Sequence, residues 1–150
     1  MVHVCCNSQH EQHVNLFNRI SFKLIDGEKV LKIDERLEQK FKSFFNNSTV
    51  QIPLFKCVQN DDYIIYIGIP YNTSLRELAN RSLEQTSSKA FFEGDTINEI
   101  YKSYIKEEDF LTSYIRNFDN NLVYVLAVAQ SEQLSDTLFN REEFSNRFVK

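Results

Sequence analysis

The first thirteen residues hold five of the six cysteine and histidine side chains in this chain, and these side chains are common ligands of metal ions. Cys5, Cys6, His10 and His13 combine two thiols with two imidazoles, and Zn²⁺ accepts that donor set. Adjacent cysteines are awkward ligands, because both thiolates must reach one ion from neighbouring backbone positions. The alternatives are adventitious metal capture and an ordinary polar terminus, and we expect residues 1–13 to form a flexible polar tail.

The rest of the chain carries no recognisable catalytic set. Every histidine precedes Val14, so a Ser-His-Asp or Cys-His site in the body would require the tail to fold back. The glycine-rich loops that cradle phosphates are absent. Asp61-Asp62 is typical of a turn, and Cys57 of a buried structural thiol. We therefore predict no catalytic residue, no cofactor-binding residue and no cofactor.

The charge pattern bears on the choice of partner. The net charge is −4 and no basic stripe occurs, which argues against nucleic acid, because binding phosphates needs clustered Lys and Arg. The acidic residues concentrate in one segment. A solvated helical face is one interpretation, and a contact surface for a basic protein partner is the other. The residues concerned are Glu93, Asp95, Glu99, Glu107, Glu108 and Asp109.

Hydrophobic periodicity and turn residues predict the elements that must position these side chains. Alternating or continuous apolar runs predict five strands, and capping residues followed by spaced apolar positions predict helices. We read the segment from 97 to about Asn117 as two short helices or one kinked helix. The predicted strands are Val14–Ile25, Lys29–Ile33, Val50–Val58, Tyr63–Ile69 and the sequence LVYVLAVAQ. The predicted helices begin at Asp34, Ser74, Thr96 and Asn140.

This order of elements predicts an α+β fold. Adjacent strands favour hairpins, so the sheet should be mainly antiparallel, with helices packed on its faces. Residues 14–150 are expected to form a single layered globular domain, since that length can bury a sizeable core.

Localisation depends on the start of the chain. No apolar run reaches the length of a transmembrane span, and no signal segment precedes the domain, so the chain as written is expected to be cytoplasmic. However, Cys6-Asn7-Ser8-Gln9 resembles the mature start of a bacterial lipoprotein. That resemblance implies lipid attachment at Cys6 and a tether to the cell envelope. Apart from such an anchor, no association with a membrane is expected.

The end of the chain carries a second resemblance. The apolar strand LVYVLAVAQ, a short loop and the closing segment FNREEFSNRF are similar to the PsbP-like family. The resemblance implies an antiparallel sheet between helical layers and a mostly non-enzymatic binding or assembly role. It covers packing residues only, so it implies no functional residue.

Three functions remain open. The first is a small non-enzymatic binding or assembly domain that uses an acidic face or a pocket at a sheet end, in the cytoplasm or tethered at a bacterial envelope. The second is a toxin-neutralising immunity protein that binds a basic enzyme through the acidic segment. The third is an enzyme with carboxylates or tyrosines in a pocket.

Overall fold

The structure is a computed structural model of the chain. The residues that it describes are 12–25, 27–45, 52–71, 73–81, 89–92, 98–131, 133–134 and 140–150.

The described elements are mostly strands. The strands are β1 (His13–Phe17), β2 (Ile20–Lys23), β3 (Lys29–Val30), β4 (Leu54–Gln59), β5 (Tyr63–Gly68), β6 (Lys89–Phe92), β7 (Glu99–Lys106), β8 (Asp109–Phe118), β9 (Asn121–Ala129) and β10 (Phe148–Val149). The helices are α1 (Glu35–Lys42), α2 (Leu75–Arg81) and α3 (Arg141–Ser145).

Seven of these strands form one antiparallel sheet, in the order β3-β4-β5-β9-β8-β7-β6. Strands β4 and β5 form the hairpin that the apolar runs on either side of residues 59–62 predict. In its turn, the Asn60 side chain accepts hydrogen bonds from the backbone N–H groups of Asp62 and Tyr63. Strand β9 confirms the prediction for LVYVLAVAQ and lies at the centre of the sheet. All its residues from Leu122 to Ala129 are buried, as expected of a strand covered on both faces.

A second, smaller sheet has the order β1-β2-β10. The prediction of one strand over Val14–Ile25 is wrong, because this segment folds back on itself as the β1–β2 hairpin. The turn contains Asn18, whose φ of 49° lies in the left-handed region that asparagine tolerates better than most residues. In the sequence, Asn18 is the polar exception on the face shared by Val14, Leu16, Ile20 and Phe22.

The helices predicted over residues 97–117 are also wrong. Where the structure describes this segment, it forms the hairpin β7–β8 with a turn at Glu107 and Glu108, and Glu107 has a φ of 56°. The helical spacing of apolar residues is interrupted at Lys106–Asp109, and this interruption marks the hairpin turn. The many Ile, Tyr and Phe residues follow strand preference. Thr96 and Ile97, on which the predicted helix start depended, lie outside the described residues.

The other three helix starts are confirmed by their caps. The Asp34 side chain accepts from the N–H of Leu37 at 2.9 Å, and Ser74 Oγ accepts from the N–H of Glu77 at 3.0 Å. The Asn140 side chain accepts from Glu142 N at 3.1 Å. These contacts satisfy backbone donors that have no partner within the first turn of a helix.

The large sheet has a hydrophobic cluster on each face. The helix-side cluster joins Phe41, Phe44, Leu78 and Ala79, from α1, α2 and the turn after α1, to sheet residues that include Cys57, Tyr66, Leu111, Ile115 and Tyr124. The small-sheet cluster joins Val14, Leu16, Phe22, Phe144 and Phe148 to sheet residues that include Tyr63, Ile65, Tyr114, Phe118 and Val125. The α+β class and the mainly antiparallel sheet are confirmed, and the small sheet was not predicted.

Candidate functional site

A cleft opens where two hairpin turns meet at one end of the interface between the sheets. It has a volume of about 600 Å³. We use "the cleft" for the space lined by Phe17, Asn18, Arg19, Ile20, Phe118, Asp119, Asn121 and Lys150. Concave sites of this size are typical of small-molecule binding.

The turns that form the cleft follow from local sequence. Phe118 pairs with Asn121, so Asp119 and Asn120 form a two-residue turn between β8 and β9. Their φ values of 50° and 73° are the backbone conformation of the turn type that best fits the twist of a hairpin. Asp and Asn adopt that conformation more readily than most residues, so these two residues favour a turn at this position. Residues of this turn and of the Asn18 turn between β1 and β2 both line the cleft.

Aromatic side chains form the floor of the cleft. The rings of Phe17 and Phe118 meet edge to face, with centroids 6.2 Å apart, across the interface between the small and large sheets. Ile20 is buried beside them, and Phe17 is half-buried. The floor therefore offers an apolar surface that is held in place by both sheets.

The rim of the cleft is charged and exposed. Lys150 Nζ lies 3.9 Å from Asp119 Oδ2, and both side chains are largely in solvent. Arg19 projects from the β1–β2 turn and is exposed. Beside the floor, the Arg116 guanidinium lies 4.5 Å from the ring centroid of Phe118, and its Nη1 donates to the carbonyl of Ser145 at 3.1 Å.

A network of hydroxyl and carboxylate groups lies next to Arg116. Tyr114 Oη and Ser145 Oγ donate to Glu99 Oε2 at 2.8 and 2.9 Å, and the two hydroxyl oxygens are 3.0 Å apart. Burial is the main cause that raises the pKa of Tyr114 above its ordinary value. The space between Tyr114, Phe144 and their neighbours on β7, β8 and β9 is too small for a water molecule, so the Tyr114 side chain is closely packed on that side.

A buried ion pair closes the opposite end of the interface between the small and large sheets. The Arg147 guanidinium donates to Glu28 Oε1, and Tyr63 Oη donates to Glu28 Oε2 at 2.5 Å. Ile25 N also donates to Glu28 Oε1 at 3.0 Å, and Arg147 lies 4.3 Å from the centroid of Phe22. Burial and the hydrogen bond to Glu28 raise the pKa of Tyr63 above its ordinary value. We call this group of three side chains the buried triad.

Those residues of the predicted acidic surface that the structure describes lie on strands and in a turn, not on a helix. Glu99 lies on β7 within the hydroxyl network, whereas Glu107 and Glu108 are exposed in the β7–β8 turn and Asp109 begins β8. Glu93 and Asp95 lie outside the described residues. The pairing of both Tyr63 and Phe110 with Ala129 brings the turn that contains Asp61 and Asp62 to the same end of the sheet as Glu107 and Glu108. We call this the acidic end.

The predicted metal and lipid sites involve residues that the structure mostly does not describe. Cys5, Cys6 and His10 lie outside it, and His13 is exposed on β1, where its Nδ1 lies 3.3 Å from Ser21 Oγ. Within the described ranges, no cluster of three or more His, Cys, Asp or Glu side chains could hold a metal ion. Cys57 is buried as predicted, and burial raises the pKa of its thiol to about 12.

None of the cleft residues was identified as a site from the sequence. Two local signals pointed to its turns, namely the polar Asn18 within an apolar pattern and the turn sequence Asp119-Asn120-Asn121. Neither signal shows that the two turns meet. In the part of the chain that the structure describes, no helix has both the length and the apolar character needed to cross a membrane.

Comparisons with known proteins give a likeness of fold. No protein-family model matches the sequence, and no curated protein matches it. The solution structure of the cyanobacterial PsbP protein (CyanoP) from Synechocystis sp. PCC 6803 is similar, with a TM-score of 0.54 and 10% identity. The likeness covers 93% of this chain and 91% of that one. A PsbP-like fold is thus supported, in agreement with the resemblance of the last strand and helix.

Proposed function

We propose that this protein is a small non-enzymatic binding domain that takes up its ligand in the cleft. The observation that carries the proposal is the cleft itself, which has an apolar floor and a charged rim and a volume of about 600 Å³. Apolar surface supplies affinity, and a few polar groups at the edge supply orientation and specificity. The site lies at a sheet end, where strands hold the floor and turns form the rim.

The hydroxyl network does not require a catalytic role. Its hydroxyl donors are satisfied within the protein, because Tyr114 Oη and Ser145 Oγ both donate to Glu99 Oε2. The network also links α3 to strands β7 and β8 through Ser145, which is a structural role that requires no ligand.

A fragment screen with a blocked variant tests the proposal. Asn121 is exposed and lines the cleft, so Asn121→Trp should fill it, whereas Glu38→Trp places the same side chain on the exposed surface of α1. We expect fragments that bind the wild-type protein to lose binding to Asn121→Trp and to keep it with Glu38→Trp. Equal binding to both variants, or no binding to the wild-type protein, would contradict the proposal.

The second candidate function is that of an immunity protein that neutralises a basic toxin. The observation in its favour is that strand pairing brings Asp61 and Asp62 to the same end as Glu107 and Glu108. Opposite charge across an interface speeds association and selects partners. Co-expression with basic nuclease toxins tests it, because reversing the charges at the acidic end should abolish rescue of growth. Glu142→Lys is the matched control, because it reverses a charge at an exposed position outside the acidic end and should leave rescue intact. Rescue that survives the reversal at the acidic end would contradict the immunity function.

A tether through Cys6 is the cellular setting that we propose for the binding domain. The support is the resemblance of Cys6-Asn7-Ser8-Gln9 to a lipoprotein start, and multiple acyl chains would give stable anchoring. The intact mass of the natively expressed protein from separated membrane and soluble fractions tests it. A lipid adduct on Cys6 in the membrane fraction is expected. An unmodified chain in the soluble fraction would exclude the tether and leave the cleft proposal intact.

A further inference from the structure

The charges around the cleft indicate which class of ligand it takes, provided that the cleft is the binding site proposed above. Two of the three charged side chains that line it, Arg19 and Lys150, are cationic. The chain as a whole has a net charge of −4. The rim is thus locally positive on an acidic protein.

Arg19 is the cation that is available to a ligand. No carboxylate within the described ranges lies at ion-pair distance from it, and its side chain is exposed beside the apolar floor. A guanidinium presents a planar fork of donors that matches the two oxygens of a carboxylate. A ligand carboxylate at the rim could therefore form an ion pair with the Arg19 guanidinium.

The carboxylate of Asp119 competes with the ligand for the second cation. Its distance of 3.9 Å from Lys150 Nζ and the exposure of both groups make this a weak surface pair. Arg116 lies beside Phe118, but it does not line the cleft, and the Glu99 carboxylate lies opposite it on β7. At the rim itself, a ligand anion would be attracted by Arg19 and Lys150 and repelled by Asp119.

We propose that the cleft binds a small organic acid, with its apolar body on Phe17 and Phe118 and its carboxylate at Arg19. The floor selects an aromatic or aliphatic body, because the edge-to-face pair of rings presents apolar surface and no buried polar group. The rim selects a negative charge over a positive one. Asp119 is a specificity-determining residue, because it weakens binding of every anion.

Three matched probes separate charge from shape. These are 4-fluorophenylacetate, 2-(4-fluorophenyl)ethanol and 4-fluorophenethylamine, and their binding is followed by ligand-observed ¹⁹F NMR on the full chain. We expect the acid to bind about threefold to fivefold more tightly than the alcohol, and the amine to bind more weakly than both. Raising the salt concentration should narrow these differences, because the rim is exposed.

Two rim variants give effects of opposite sign. Arg19→Gln should bring the affinity for the acid to within about twofold of that for the alcohol, and Asp119→Asn should raise the affinity for the acid about twofold. Neither variant should change the affinity for the alcohol. Both positions are exposed, so neither substitution removes a buried contact.

The outcomes distinguish this inference from the proposed function. Equal affinities for acid, alcohol and amine, all abolished by Asn121→Trp, would overturn the preference for acids and leave the cleft as a binding site. Preference for the amine would also overturn it. Binding of all three probes that is insensitive to Asn121→Trp would overturn both the inference and the proposed function.

Discussion

The interface between the two sheets ends differently on its two sides, although both ends contain an ion pair. At one end the buried triad of Glu28, Tyr63 and Arg147 closes the interface, and the Glu28 side chain is fully buried. At the other end the pair of Lys150 and Asp119 is 3.9 Å long and exposed, and the cleft opens beside it. Among the residues that the structure describes, those at the second end line a space that a ligand could enter.

The comparison shows how burial changes the role of the same kind of contact. A buried ion pair must be nearly perfect in geometry, because its charges have lost their hydration and depend on each other. An exposed pair costs little to break, because water replaces the partner. The triad joins Arg147, next to β10 of the small sheet, to Tyr63 on β5 of the large sheet, while the rim of the cleft can exchange an internal contact for a ligand.

Breaking the buried triad should have the largest effect. Arg147→Met leaves the Glu28 carboxylate buried without its cation, and we expect the free energy of unfolding to fall by about 3 to 5 kcal/mol. Urea denaturation measures the change. The double variant Glu28→Gln/Arg147→Met should recover more than half of that loss, because it removes the buried charge. A loss for Arg147→Met no larger than for an exposed arginine would show that the triad does not hold the sheets together.

Tyr63→Phe should have the next largest effect. It removes the hydroxyl that donates to Glu28 Oε2 at 2.5 Å and leaves the ring in the small-sheet cluster. Loss of one hydrogen bond to a buried charged group should lower the free energy of unfolding by about 1 to 3 kcal/mol. Tyr71→Phe is the matched control, since Tyr71 is 65% exposed and should tolerate the change. Equal effects at the two positions would contradict a special role for Tyr63.

The buried triad should also make stability depend on pH in the alkaline range. The pKa of Tyr63 is raised in the folded state, so above pH 10, the ordinary value, the unfolded chain loses a proton that the folded chain retains. The folded state then binds more protons, and stability falls as pH rises. Urea titrations between about pH 9 and pH 11 should show a shallower fall for Tyr63→Phe than for the wild-type protein. Identical slopes would contradict this assignment.

The smallest effect on stability is expected at the exposed pair. Lys150→Met removes the partner of Asp119 at a distance of 3.9 Å in solvent, and we expect no change in the urea midpoint beyond experimental error. The same substitution at Arg147 provides the contrast, because both variants replace a cation with methionine. A clear loss of stability for Lys150→Met would mean that the open end is held together as firmly as the closed one.

Elements with local signals were predictable from the sequence. The cap at Asp34, the turn at Asn60 and the continuous apolar run of β9 each depend on neighbouring residues, and all three are confirmed. The hairpin β7–β8 was missed because every residue from Leu111 to Ile115 on β8 is buried, so the polar alternation of a half-exposed strand is lost there. Its spaced Ile, Tyr and Phe residues then fitted a helical stripe as well as a strand.

The cleft and the triad were missed for a different reason. Both depend on residues that are far apart in sequence, such as Glu28 with Arg147 and Phe17 with Phe118. Their meeting follows from the position of β10 beside β2 and from the small sheet lying across the large one. No local pattern encodes that arrangement, although Asn18 and Asp119-Asn120 did mark where the chain turns.

The proposed ligand-binding site lies at the open end of the interface and not at the acidic end. An amide NMR titration of the full chain with 4-fluorophenylacetate tests this most directly. Strand β8 separates the two ends by about 30 Å, so the two outcomes are easily distinguished. We predict that the largest shift changes will occur at residues 17–20 and 118–121. Shift changes centred on residues 60–62 and 106–109, with none at the cleft, would contradict binding at the open end.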